Sequence, residues 1–219
     1  MKTKIAIFRN ESADDHLPWL EACRRRTGEV EAVVLDITAS DWLESFRREK
    51  YDLVLLRPPG RTERYKQLYD ERALILHYHS GLPVYPSLNE VLIYENKRFL
   101  SDWLNINNIP HPGTRVFFDR KEALEWAMSG ISFPVVAKTN IGASGNGVRF
   151  LDDERILSDY ISDAFGRGVG VKTGPKLRKG SLTGKLVKAM TTPGFLKKRL
   201  GEYRASFENP QRGYVIFQE

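Results

Sequence analysis

The sequence predicts an α/β protein in two parts, a small parallel sheet followed by a unit of mixed α and β structure. Two observations support this prediction. In the first 87 residues, short apolar runs alternate with segments of helical periodicity. Further along, two apolar runs flank a loop with three glycines, which is typical of a strand, a flexible loop and a second strand.

The first part, residues 1–87, is predicted to be a Rossmann-like domain. Strands are expected at residues 5–8, 30–37, 53–56 and 84–85, and helices at residues 14–26, 40–50 and 61–79. Ser40 is the expected N-cap of the second helix. Strands that alternate with helices are joined by crossovers, so the sheet should be parallel, with the wholly apolar third strand near its centre.

The second part, residues 88–219, is predicted to begin with a long helix. Helices are expected at residues 89–107, 120–128 and 152–165, and strands at residues 114–118, 135–138, 148–151 and 213–219. The long helix should end before Pro110 and Pro112, because proline cannot continue it. Residues 166–201 are predicted to be an insertion, since glycine and proline interrupt any regular period there.

The stretch from residue 133 to residue 151 carries the clearest functional pattern. Two valines lead to Lys138, the following loop contains Gly142, Gly145 and Gly147, and a second apolar run begins at Val148. Glycine lacks Cβ and reaches positive φ without strain, so the backbone N–H groups of this loop can approach a polyanion closely. Lys138 adds a positive charge beside them. The pattern predicts phosphate binding, and a solvated hairpin loop is the alternative.

Two familiar phosphate motifs do not fit this loop. A P-loop places its lysine after the glycines and opens a helix, whereas Lys138 precedes them. The dinucleotide fingerprint also opens a helix and has a different glycine spacing. The loop is therefore predicted to lie between two strands.

Arg57 is a candidate substrate-binding residue in the first part of the chain. It follows the predicted third strand directly, in the sequence Arg-Pro-Pro-Gly at residues 57–60. Ligands of open α/β sheets bind at the carboxyl ends of the strands, and arginine can bind a carboxylate or phosphate through two hydrogen bonds. A surface arginine in a turn is the other interpretation.

Four segments stand in an order that indicates a family. Glu95-Asn96-Lys97 opens a helix that ends in Ile-Pro-His-Pro, a strand ends in Lys138, the glycine loop follows, and a final strand occupies residues 214–219. This order resembles the ATP-grasp superfamily, near glutathione synthetase and ribosomal-protein glutamate ligase, whose members have a Rossmann-like N-terminal domain. The resemblance extends over residues 87–150 and the last strand; it is weak over residues 1–86 and absent over residues 166–210.

The resemblance implies a role for each of these segments. Lys97 would reach the phosphates of ATP, Lys138 would lie by the α- and β-phosphates, and the glycine loop would close over the β- and γ-phosphates. The last strand would lead into a hinge whose backbone binds the adenine edge. The expected ATP-binding residues are therefore Lys97, Lys138, Gly142, Ser144, Gly145, Gly147, Gln218 and Glu219.

The same resemblance implies that this chain carries only the N-terminal portion of an ATP-grasp protein. The family's Mg²⁺ ligands belong to a C-terminal half, so they are expected outside this chain, and no catalytic residue is predicted. Without Mg²⁺ ligands, phosphoryl transfer lacks its main electrostatic stabilisation. The last strand is expected to be an exposed edge, because its neighbours would lie in that C-terminal half. An exposed edge would favour pairing with a second copy of the chain.

The net charge of +6 arises in one segment, since residues 164–201 contain ten Lys or Arg and no Asp or Glu. Such a segment can bind an anionic partner, and a solvated insertion is the other interpretation. It has few aromatic residues, so nucleic-acid binding is not favoured. No apolar run approaches the roughly 20 residues of a membrane span. With no export signal and one cysteine, the expected location is the cytoplasm.

The leading hypothesis is the ATP-binding portion of a ligase that joins a carboxylate to an amine, or to a similar nucleophile, through an acyl phosphate. Its cofactors would be ATP and Mg²⁺, and its substrates small-molecule or polymer carboxylates and amines. The alternative is a non-catalytic nucleotide-binding or interaction module that uses the basic segment to bind an anionic partner.

Overall fold

A computed structural model of the chain describes residues 2–12, 14–142, 147–170 and 210–219. The chain divides into two compact units, Met1–Leu100 and Ser101–Glu219. Most of the predicted basic insertion, and the loop residues Ser144 and Gly145, lie outside the described residues. The domain boundary predicted from the sequence, near residue 87, stays a prediction.

The first unit is built on a parallel sheet with the strand order β2-β1-β3-β4. Its elements are β1 (Thr3–Arg9), α1 (Leu17–Arg24), β2 (Val30–Asp36), α2 (Trp42–Arg47), β3 (Leu53–Leu56), α3 (Glu63–His79), β4 (Val84–Tyr85) and α4 (Leu88–Ile93). Ile5 pairs with Ala32 on one side and with Leu53 on the other. The parallel sheet and the interior position of β3 agree with the sequence prediction.

A core of buried side chains packs the helices of the first unit against this sheet. Phe8 and Leu56 from the strands are fully buried, and Phe46, Tyr69 and Leu76 from α2 and α3 belong to the same cluster. Burying an aliphatic or aromatic side chain of this size contributes about 1.5–3 kcal/mol. The core therefore holds the carboxyl ends of β1 and β3, where Arg57 follows, in a defined position.

The second unit has an antiparallel sheet with the strand order β5-β8-β6-β7. The remaining elements are α5 (Lys97–Ile106), which spans the division between the units, β5 (Thr114–Phe117), α6 (Arg120–Ala127), β6 (Val135–Lys138), β7 (Val148–Leu151), α7 (Glu154–Phe165) and β8 (Val215–Gln218). Helices α6 and α7 pack on one face of this sheet, where Leu157, Ile161 and Phe217 are buried.

The position of β8 corrects the expectation that the last strand is an exposed edge. β8 pairs with β5 on one side and with β6 on the other, and Val215, Ile216 and Phe217 are almost completely buried. The expectation was wrong because the neighbours of β8 come from earlier in this chain. Because both edges of β8 are already paired, this strand cannot pair with a second copy of the chain.

Two helix predictions also need correction. Residues 89–107 form two helices, α4 and α5, because Glu95 takes a positive φ of 48° and ends the helical conformation. Asn96 starts α5 anew, since its side chain accepts a hydrogen bond from the Phe99 N–H at 3.2 Å. Ser40 is not the N-cap of α2, because that helix begins at Trp42 with Asp41 in the capping position.

Candidate functional site

The hairpin of β6 and β7 carries the lysine and the glycine loop. Lys138, the last residue of β6, pairs with Val148. Beyond this pair, the Thr139 N–H donates to the Gly147 carbonyl at 3.0 Å. Gly142 and Gly147 have φ values of 147° and 79°, which favour glycine. The arrangement is the predicted strand, glycine loop and strand. Ser144 and Gly145 belong to the part of this loop that is not described.

The first residues of the loop are held by buried polar groups. The Thr139 hydroxyl donates to the Ile141 carbonyl at 2.7 Å, and the Asn140 N–H donates to Oε1 of Gln211 at 2.7 Å. Nε2 of Gln211 donates in turn to the Tyr214 carbonyl at 3.2 Å. Because Thr139, Asn140 and Gln211 are all buried, these bonds fix the start of the loop beside Lys138. Sequence reasoning missed Gln211, which lies 71 residues from Asn140.

The face of the second sheet that is opposite α6 and α7 carries two of the candidate ATP-binding side chains, those of Lys138 and Gln218. Side chains alternate along a strand, and directly paired residues share a face, so the strand register defines this set. Lys138 lies between Val148 on β7 and Ile216 on β8. The residues on this face, called the lysine face below, are Thr114, Val116, Val136, Lys138, Val148, Phe150, Ile216 and Gln218.

The lysine face combines apolar surface with one cation. Five of its members are apolar, and Phe150 is 59% exposed although it is a large aromatic residue. Lys138 is the only ammonium or guanidinium group that the strand register places on this face. An apolar surface with one charged group suits a ligand that has a planar apolar part and an anionic part.

Lys138 itself is partly buried, and no described residue supplies a compensating charge. Loss of water lowers the pKa of its ammonium group below the usual value. Within the described residues, Lys138 forms no ion pair or hydrogen bond through its side chain. A ligand anion placed beside it would supply the missing negative charge.

The last two residues of the chain take different positions. Gln218 lies on the lysine face, pairs with Val136, and donates from Nε2 to the Thr114 hydroxyl at 2.9 Å. The alternation of the strand turns the Glu219 side chain the other way, and Arg115 donates from Nε to its carboxylate at 3.3 Å. Of the two predicted hinge residues, only Gln218 shares the face with Lys138.

Lys97 opens α5 and belongs to the first unit. Its Nζ lies 3.6 Å from Oε2 of Glu95, and the neighbouring Arg98 forms an ion pair with Glu63 at 3.2 Å. Both ion pairs are partly buried. The first turn of α5 is therefore attached to α3 and to the turn that precedes it.

Arg57 lies where the sequence predicted, directly after β3, and it is exposed. Nδ2 of the buried Asn10, which follows β1, donates to Asp15 at 3.0 Å. The Asn10 hydrogen bond lowers the pKa of Asp15, and the positive charges of Arg57 and Arg61 lower it further. The carboxyl edge of the first sheet therefore carries polar groups from the residues that directly follow β1 and β3.

A buried ion pair in α3 escaped the sequence analysis. Nζ of Lys66 lies 2.5 Å from both carboxylate oxygens of Asp70 and donates to the Val91 carbonyl at 2.9 Å. Burial lowers the pKa of Lys66 and raises the pKa of Asp70 to about 6. The sequence did contain one indication of this pair, because residues four apart on a helix lie on the same face.

The described residues provide neither a metal-binding cluster nor a membrane-spanning helix. They contain no group of three or more His, Cys, Asp or Glu that could hold a metal ion. None of the helices in the described part of the chain is long and apolar enough to cross a membrane.

Part of the chain is similar to a characterised ligase. The α-aminoadipate–LysW ligase LysX of Saccharolobus solfataricus is 33% identical over 93 residues, which cover 41% of this chain and 34% of that ligase. The match thus spans about a third of the length of this relative. No protein-family model matches the sequence.

Solved structures are similar over the whole chain. The biotin carboxylase domain of 2-oxoglutarate carboxylase from Hydrogenobacter thermophilus, solved with MgADP and bicarbonate, has a TM-score of 0.53 and 12% identity, over 100% of this chain and 44% of that chain. A RimK domain ATP-grasp protein from Sphaerobacter thermophilus has a TM-score of 0.49 and 18% identity, over 99% of this chain and 64% of that chain. At this identity the likeness to the carboxylase domain is one of fold, and this chain shares its fold with part of that domain.

The two sheets confirm the fold class predicted from the sequence, an α/β chain with a Rossmann-like parallel unit followed by a unit of mixed α and β structure. The β6–β7 hairpin carries the predicted glycine loop, and β8 is the predicted last strand. The individual roles of the candidate residues remain predictions.

Proposed function

We propose that this chain is the ATP-binding portion of an ATP-grasp ligase, with the adenine and phosphates of ATP on the lysine face. The observation that carries the proposal is Lys138, a partly buried cation without a counter-ion among the described residues, at the base of a glycine loop. Two of the similar proteins support it. LysX is a ligase, and the carboxylase domain was solved in complex with MgADP.

In this proposal the chain's own residues neutralise and orient the triphosphate. Lys138 and Lys97 place positive charge beside the phosphates, and the N–H groups of the loop from Gly142 to Gly147 bind the β- and γ-phosphate oxygens. The apolar residues of the lysine face, with Phe150 as the exposed aromatic ring, provide the surface for the base. Gln218 and Glu219 lead to the backbone that binds the adenine edge.

The proposed reaction has two steps. The γ-phosphoryl group of ATP moves to a carboxylate oxygen of the substrate, which gives an acyl phosphate and ADP. An amine then attacks the acyl carbon, and inorganic phosphate leaves as the new amide bond forms. Arg57 is proposed to bind a substrate carboxylate. The described residues do not offer a set of carboxylates suited to Mg²⁺, so the Mg²⁺ ligands are proposed to lie outside them.

Calorimetric titration of the 219-residue chain with MgATP tests the proposal. Lys138→Met should weaken binding at least about tenfold, because a charge-assisted contact of this kind contributes roughly 1.5–3 kcal/mol. Lys121→Met is the matched control, since Lys121 lies on α6 and is exposed beside Glu125. Equal affinities for the wild-type protein and Lys138→Met would refute the assignment of the lysine face.

A further inference from the structure

The first unit contains a cavity that the proposed function does not use. Its volume is about 630 Å³, which is within the range of small-molecule sites. It lies between the carboxyl-terminal ends of α2 and α3, beside the residue that leads into β3. Its apolar walls are Leu43, Phe46, Tyr51, Ile75, Leu76 and Leu82.

The walls of this cavity are suited to a flat apolar group. Phe46 and Tyr51 are buried and stack with ring centroids 5.3 Å apart and planes 15° apart. Ile75 faces the same cavity and is 43% exposed, which is high for a large aliphatic side chain. A ligand ring or short chain would cover this apolar surface and remove it from water.

The rim of the cavity is positively charged. Arg47 and Lys50 line it, are exposed, and form no ion pair with any described residue. Glu49 also lines the cavity, but its carboxylate is bound by Lys4, which is shared with Glu31. The carboxyl-terminal ends of α2 and α3 together contribute at most about one negative charge. The two unpaired cations exceed that contribution, so the rim favours an anion.

His79 and Ser80 complete the polar part of the lining. Ser80 is already engaged, because its hydroxyl donates to the Leu76 carbonyl at 2.6 Å and accepts from the Leu82 N–H at 3.1 Å. His79 is exposed at the end of α3 and offers a ring nitrogen. The charged head of a ligand would therefore lie toward Arg47, Lys50 and His79.

We infer that this cavity binds a small carboxylate with a planar apolar body, held by the stacked Phe46–Tyr51 pair and by Arg47 and Lys50. The site is separate from the carboxyl edge of the sheet, because Tyr51 precedes β3 whereas Arg57 follows it. The cavity lining contains none of the residues proposed to bind ATP.

Amide NMR spectra of the full chain, titrated with phenylpropionate, test this inference. Saturable shift changes are expected at residues 46–51 and 75–82, and the neutral phenylpropionamide should bind more weakly. The double variant Arg47→Gln/Lys50→Gln should weaken phenylpropionate binding about fivefold or more, as expected for two partly screened charge contacts. Arg48→Gln is the control, because Arg48 is exposed next to Asp41 and does not line the cavity.

Several outcomes would overturn the inference. One is the absence of saturable shifts, and another is equal binding of phenylpropionate to the double variant. Shift changes at the same residues on raising the protein concentration without phenylpropionate would assign the cavity to a contact between two copies. Ile75→Trp, which fills the cavity from its exposed side, should abolish binding; retained affinity would place the ligand elsewhere.

Discussion

Gly147 lies so close to Thr139 that no other residue fits at this position. A Cβ atom on Gly147 would lie 1.8 Å from the Thr139 hydroxyl oxygen, and the backbone of Gly147 has a φ of 79°. The threonine hydroxyl occupies that space because it donates to the Ile141 carbonyl. This contact sets where the glycine loop rejoins β7.

Gly147→Ala should therefore destabilise the second unit. The positive φ and the contact with Thr139 together should lower the free energy of unfolding by about 2 kcal/mol or more. Denaturant unfolding measures this loss. Gly113→Ala is the control, because nothing lies within 4 Å of its added Cβ and its φ is outside the left-handed region. Adding Thr139→Ala should cost less in the Gly147→Ala protein than alone; equal costs would contradict the contact.

The Lys66–Asp70 pair should make the stability of the first unit depend on pH. Burial raises the pKa of Asp70 from 3.8 to about 6, so between these values the folded chain holds a proton that the unfolded chain has released. The free energy of unfolding should therefore fall as the pH rises from about 4 to about 6, by about 3 kcal/mol from this group.

Comparison of wild-type protein with Asp70→Asn isolates this contribution. The difference in unfolding free energy between the two proteins should change over the same pH range, and NMR titration of the Asp70 carboxyl should give the elevated pKa. Glu71→Gln is the control, because Glu71 is the exposed neighbour on the same helix. A pKa for Asp70 near its ordinary value would refute the expectation.

Gln211 should matter for the stability of the loop base. Gln211→Ala leaves the Asn140 N–H and the Tyr214 carbonyl without their partner, and an unsatisfied buried polar group costs about 1–3 kcal/mol. Gln211→Glu keeps the acceptor oxygen and should cost less than the alanine variant. Arg212→Ala, at the exposed neighbouring position, should change the unfolding free energy little. A cost for Gln211→Ala no larger than for Arg212→Ala would show that these bonds do not hold the loop.

Hydrogen exchange should reveal β8 as a central strand. The amides of Val215, Ile216 and Phe217 should exchange slowly, since this strand is paired on both sides. Alternate amides of β5, which is paired only with β8 among the described strands, should exchange faster. Fast exchange throughout residues 215–217 would contradict the observed sheet order.

Local patterns in the sequence predicted most of the elements and the hairpin of the candidate site. Apolar runs of four residues became the centres of β1 and β2 and the whole of β3, and the run-glycine-run pattern became β6 and β7. These features depend on neighbouring residues. The break at Glu95 was missed because the periodicity of the flanking helices continues across it, although Asn96 was a readable N-cap.

The sequence by itself determined the fold class and brought Lys138 and the glycines together, because they are adjacent along the chain. Only the tertiary structure decided that β8 lies between β5 and β6, that Gln211 binds the loop base, and that Lys66 is buried against Asp70. Those features require residues that are far apart in sequence to meet, or require burial that neighbouring elements impose. No local periodicity encodes such contacts, since they arise from the packing of the whole unit.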